Sequence, residues 1–126
     1  MTAELAGGRS ILVVEDDYML AYDLCRDLEA AGARVLGPVA SISEALEILD
    51  RAEGLDAAVL DVNLSGTMVF PLAEALRDRG VPFVFATGYE AWALPSAFAK
   101  VPRCDKPLDA REVLHALDLA CRPAAV

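Results

Sequence analysis

Short apolar runs alternate with segments of helical spacing five times along this chain of 126 residues, and that alternation leaves few folds open. Ser10 to Val14 reads as a buried strand, followed by Leu20, Leu24, Leu28 and Ala31 at helical spacing up to Gly32. Arg34 to Val39 is a second strand. The helix after it has Ser41 or Ser43 as its cap and turns Ala45, Leu46 and Leu49 inward. Asp56 to Asp61 is the third strand, and after a VNLSG turn Leu72, Leu76 and neighbouring alanines predict a helix ending at Gly80. Pro82 opens a fourth strand, FVFAT, whose aromatic and β-branched residues suit a sheet covered on both faces. A helix broken by Pro95 is expected between Tyr89 and Phe98. A fifth strand follows near Ala99 to Asp105, and a last helix runs from about Asp109 to Cys121.

Repeated strand and helix units of this kind predict a parallel sheet with right-handed crossovers and helices on both faces. The prolines choose the order. Pro38 interrupts the second strand and Pro102 the fifth, and a residue that cannot donate to a ladder belongs on an edge. The apolar first, third and fourth strands are then central, which gives a flavodoxin-like order of 2-1-3-4-5. Ligands of such sheets bind beyond the carboxyl ends of the strands at the switch point, here between the first and third. Those two strands end in Glu15-Asp16-Asp17 and in Asp61.

Composition narrows the functions that such a fold can carry. The length suits one domain spanning residues 1–126, with a core of about 10–121 and short flexible termini. A net charge of −9 disfavours nucleic acid as a partner and favours a cation or a basic protein surface. There is no run of 18 apolar residues, and Glu4 stands in an N-terminus without a basic start, so neither a membrane span nor a signal peptide is expected and the cytoplasm is the expected location. Cys25, Cys104 and Cys121 lie far apart and read as buried thiols. His115, the single histidine, reads as a packing or surface residue of the last helix.

The acids at the switch point require a partner. Two carboxylates about 5 Å apart repel by roughly 3 kcal/mol at an effective dielectric near 20, and a third adds to this. A hard divalent ion relieves the repulsion, and magnesium takes one or two carboxylates while keeping waters and phosphate oxygens as its other ligands. A carboxylate beside such an ion and a lysine is able to attack phosphorus and form an aspartyl phosphate. Lys106, in a DKP sequence after the fifth strand, supplies the lysine, and Thr87 after the fourth offers a hydroxyl. Taken singly, Thr87 could satisfy backbone groups, Lys106 could pair with Asp105 or Asp109, and Asn63 could be a turn residue. None of these explains three acids at one switch point.

Glu15-Asp16, Asp61, Thr87 and Lys106-Pro107, each at a strand end and in this order, resemble the receiver domain of two-component response regulators. The likeness covers about Ser10 to Cys121. DVNLSG followed by PFVFATGY is similar to the single-domain FAT GUY subgroup, whose motif is matched by Phe85 to Tyr89. The resemblance implies that Asp61 accepts a phosphoryl group from a histidine kinase or phosphotransfer protein. It further implies that Asp16 binds Mg2+ directly, Glu15 mainly through water and Asn63 through its backbone carbonyl, and that Thr87 and Lys106 contact the phosphoryl group. A change on the face of the fourth helix and fifth strand would then act on a downstream protein, or the chain would serve as a relay or phosphate sink, as a monomer or weak dimer.

Two positions depart from the common receiver pattern. Arg103 stands where most receivers have an aromatic residue, three before the lysine, and Asn63-Leu64-Ser65 stands where many have a Met-Pro pair, a difference the subgroup resemblance tolerates. Trp92 and Phe98 read either as an exposed recognition patch or as packing against the sheet. A small magnesium phosphatase with Asp61 as nucleophile is the alternative enzyme, but a haloacid-dehalogenase-like one wants a second acid two residues on, where Asn63 stands. A degenerate receiver that binds partners without phosphorylation is the third possibility.

Overall fold

The computed structural model describes residues 8–88 and 94–121. Five parallel strands form the sheet: β1 (Ser10–Val14), β2 (Arg34–Val39), β3 (Ala57–Asp61), β6 (Phe83–Thr87) and β7 (Arg103–Asp105). Their order is β2-β1-β3-β6-β7, which is 2-1-3-4-5 when the sheet strands alone are counted, with both proline-bearing segments at the edges as expected. The helices are α1 (Tyr18–Ala30), α2 (Ile42–Arg51), α3 (Phe70–Asp78) and α4 (Ala110–Cys121). Between β3 and α3 a two-stranded hairpin forms from β4 (Asn63–Leu64) and β5 (Thr67–Met68).

The period-two geometry of a strand divides the core into two layers. Ile11, Val13, Val59 and Val84 face one side and meet Leu24 and Leu28 of α1 and Val113 and Leu117 of α4. Leu12, Val14, Leu60 and Phe85 face the other and meet Leu49 of α2 and Leu72 and Leu76 of α3. Both faces of β1, β3 and β6 are buried throughout, which is why these strands read as unbroken apolar runs. Each large side chain so buried contributes roughly 1.5–3 kcal/mol.

Polar residues fix where the helices begin. The Asp17 carboxylate accepts from the Leu20 amide at 3.2 Å to cap α1, and Ser41 Oγ accepts from the Glu44 amide at 3.2 Å to cap α2. Gly37 decides how β2 meets β1: its φ is +96°, and a Cβ there would lie 2.8 Å from the Val13 carbonyl oxygen. The pairing slips between Leu12 and Val14 at this point, and the Glu15 amide then donates to the Val39 carbonyl at 2.9 Å. The close approach therefore sets the direction in which the chain leaves β1 toward the acids.

Two expectations change, the extent of the fifth strand and the burial of Cys121, and one alternative, at Phe98, is decided. The fifth sheet strand is only Arg103–Asp105, because Ser96–Phe98 forms a 3-10 turn and Ala99 and Lys100 continue turning before the chain extends. Phe98 is a core residue, 3% exposed and stacked on Phe70 with ring centroids 5.5 Å apart. Trp92, Tyr89, most of the helix expected from Tyr89 and the termini expected to be flexible lie outside the described residues. Cys25 and Cys104 are buried as expected, whereas Cys121 is exposed at the end of α4, and His115 is exposed on the same helix. Among the described residues no helix is long and apolar enough to cross a membrane.

Candidate functional site

Strand register brings the acids together. Val14 pairs with Leu60 across β1 and β3, so the next residues, Glu15 just past β1 and Asp61 at the end of β3, come side by side at the rim. Asp61 pairs with Ala86 of β6, and Thr87 pairs with Asp105 of β7, which sets Lys106 one residue beyond the same rim. One carboxylate oxygen from each of Glu15, Asp16 and Asp61 lies within 4.8 Å of the other two. Lys106 Nζ is 3.0 Å from Glu15 Oε1 and donates to Asp61 Oδ2 at 3.1 Å. The lysine thus joins the acids of β1 and β3, not Asp105 or Asp109.

Burial gives these charges weight. Glu15 and Asp61 are 4% and 5% exposed, and Thr87 is 1% exposed. Burial, then the hydrogen bond and charge of Glu15, push the Asp61 carboxyl up to about 7, against the opposing pull of Lys106. Burial alone would lower the Lys106 ammonium, but Glu15 and Asp61 outweigh it and raise its pKa. For Asp16, burial acts upward and is overcome by hydrogen bonds with Ser65, Asp61 and Glu15, so its carboxyl sits below the usual range. Asp16 is also the outer member of the cluster, only partly buried.

The remaining residues complete the rim. The Asp17 amide donates to Glu15 Oε2 at 2.9 Å, and the Asn63 amide lies 3.3 Å from Asp61 Oδ1. Asn63 Oδ1 in turn accepts from the Gly66 amide at 2.6 Å, so its side chain shapes the turn. Thr87 Oγ1 donates to Asp105 Oδ1 at 3.4 Å. Arg103 is exposed on β7, paired in register with Phe85. Ser65, which the sequence marks only as a departure in the turn, donates its hydroxyl to Asp16 Oδ2. The signal available was its place before Gly66 in the turn after Asp61.

An open cleft of about 490 Å³ lies over the cluster, lined by Asp16, Asp61, Asn63, Ser65, Gly88 and Lys106. A larger groove of about 690 Å³, at the opposite end of β6, has Pro82, Val101 and Pro102 in its wall and no carboxylate side chain. Chemistry, not size, singles out the first. The donor set around it fits a hard cation: three carboxylates cluster with a single ammonium that pairs with only two of them, and the buried Glu15 Oε1 accepts no hydrogen bond in spite of the nearby lysine charge.

No protein-family model matches the chain. The photosynthetic apparatus regulatory protein RegA of Cereibacter sphaeroides is 36% identical over 119 residues, covering 90% of this chain, which spans only 64% of that relative's length. The solution structure of SdrG from Sphingomonas melonis Fr1 is 37% identical with a TM-score of 0.75, covering 93% of this chain and 98% of that one. A response regulator receiver domain protein from Clostridium thermocellum superposes with a TM-score of 0.77 over 90% of this chain at 18% identity, a likeness of fold. Together with acids, threonine and lysine on one rim of this sheet, these likenesses establish that the chain belongs to the receiver family of two-component response regulators.

Proposed function

We propose that Asp61 is the phosphoacceptor of a magnesium-dependent phosphoryl switch. The observation that carries this reading is the Asp61 carboxylate itself, at the carboxyl end of the central strand, 3.1 Å from Lys106 and within 4.8 Å of the other two acids. Asp16 and Asp61 would hold Mg2+ directly, Glu15 mainly through water, and Asn63 through its backbone carbonyl. Bound there, the ion would neutralise charge on the phosphoryl oxygens.

The residues then divide the chemistry. Asp61 supplies the attacking oxygen, forming the bond to phosphorus as the donor's leaving group departs. Lys106 holds the nucleophile in place and pairs with charge on the transferring group, so in-line positioning and neutralisation do most of the catalysis. Thr87 would exchange its bond to Asp105 for one to a phosphoryl oxygen. The new charge and acceptors would draw Thr87 inward and shift the face carrying β7.

The phosphoryl group would come from a histidine kinase or phosphotransfer protein in the cytoplasm, and the chain would signal through a protein partner or act as a relay or sink, as a monomer or weak dimer. The sequence from Phe85 through Tyr89 supports placing it in the FAT GUY subgroup. Acetyl phosphate with Mg2+ tests the chemistry. Wild type should gain the mass of one phosphoryl group and D61N should not; a wild type that gains none, even with a competent kinase, leaves the phosphorylation-independent binding module. Continuous turnover of many phosphomonoesters would favour the phosphatase.

A further inference from the structure

The turn between β4 and β5 is made by Ser65 and Gly66, with Leu64 and Thr67 paired across it. Both turn residues have left-handed φ, +53° for Ser65 and +95° for Gly66, the pattern of a type I′ hairpin. Such a turn favours Asn or Asp at its first position, because a short side chain that bonds its own backbone tolerates φ above zero. Serine is a poorer choice for the turn alone. Its hydroxyl, however, reaches Asp16 from 49 residues away in sequence.

The hairpin is anchored well enough to act as a support. Leu64 and Val69 are buried on either side of it, the Val69 amide donates to the Val62 carbonyl at 2.9 Å, and Asn63 Oδ1 accepts from the Gly66 amide. Asp16 needs such a support: it is the one cluster acid that is not buried, and Lys106 forms ion pairs with the other two. A carboxylate has lone pairs enough to accept from a hydroxyl and still bind elsewhere.

We infer that Ser65 is a positioning residue for the cation site, holding Asp16 in its ligating orientation from outside the coordination sphere. This rests on the cation-site reading above. Groups that orient a metal ligand commonly alter affinity by 10–100-fold, and a single exposed hydroxyl belongs at or below the lower end of that range, about three- to tenfold.

Calorimetric titration of Mg2+ into wild type, S65A, S65G and D16N, with thermal unfolding of each in EDTA, tests it. Both Ser65 variants should bind Mg2+ about three- to tenfold more weakly. Their unfolding temperatures in EDTA should stay within a few degrees of wild type, S65G at or above it because glycine relieves the left-handed φ. Serine as a mere turn residue would move stability and leave affinity unchanged. If wild type binds and D16N does not, while both Ser65 variants bind within twofold of wild type or more tightly, the positioning role is overturned and the cation site stands. If wild type itself binds no Mg2+, the site and the role fall together.

Discussion

Asparagine at position 61 keeps the side chain's shape and removes the charge that the rim is least able to hold without a cation. In the folded protein burial and Glu15 raise the Asp61 carboxyl from 3.8 to about 7. An acid whose folded pKa lies above its unfolded value keeps its proton longer when native. Its ionisation therefore costs nothing below about pH 4, costs progressively more from pH 4 to 7, and reaches its full cost above pH 7. The upward shift corresponds to about 4 kcal/mol as a ceiling. With Lys106 already included, we expect metal-free D61N to exceed wild type by about 2–4 kcal/mol at pH 8 and by less than about 1 kcal/mol at pH 4. Urea unfolding in EDTA at both pH values measures this. A gain equal at the two pH values, or a less stable D61N at pH 8, would refute the electrostatic account of the site.

Other perturbations probe the scaffold. G37A should lose about 2 kcal/mol or more in urea unfolding, since it combines a left-handed φ with a backbone oxygen 2.8 Å from the new Cβ; an unchanged midpoint would mean that β2 and β1 are not so closely apposed. F98A should cost about 3–5 kcal/mol as a core truncation, and a loss below about 1 kcal/mol would return Phe98 to the surface. Cys121 should react rapidly with Ellman's reagent in the native protein. Cys25 and Cys104, buried and with thiols pushed up to about 11, should react only on unfolding. Fast reaction of all three thiols without denaturant would contradict the packing of α1 and α4.

The fold is written into local pattern because each strand buries both faces or marks itself as an edge. Pro38 and Pro102 were enough to order the sheet, since an edge is where a missing amide does least harm. The site was legible as residue types at strand ends but not as contacts. Lys106 has Asp105 and Asp109 near it in sequence, yet the pairing of β6 with β7 carries it to Glu15 and Asp61. Ser65 was hidden for the same reason: two-residue strands leave no periodic signal, and the hydroxyl acquires its partner only when β1 and β3 lie side by side. The fifth sheet strand was overextended because Ala99 to Pro102 is apolar enough to pass for a strand, while the 3-10 turn that buries Phe98 uses up the chain before it.

Borohydride reduction after phosphorylation measures the central claim most directly, because hydride attacks an acyl phosphate and leaves the aspartate as homoserine. After treatment with acetyl phosphate and Mg2+, peptide mass spectrometry should find homoserine at position 61 and at no other acid, and none in D61N or in samples kept in EDTA. Conversion at Asp16 or Glu15 in its place, or unmodified Asp61 in a sample whose intact mass shows a phosphoryl group, would contradict Asp61 as the acceptor.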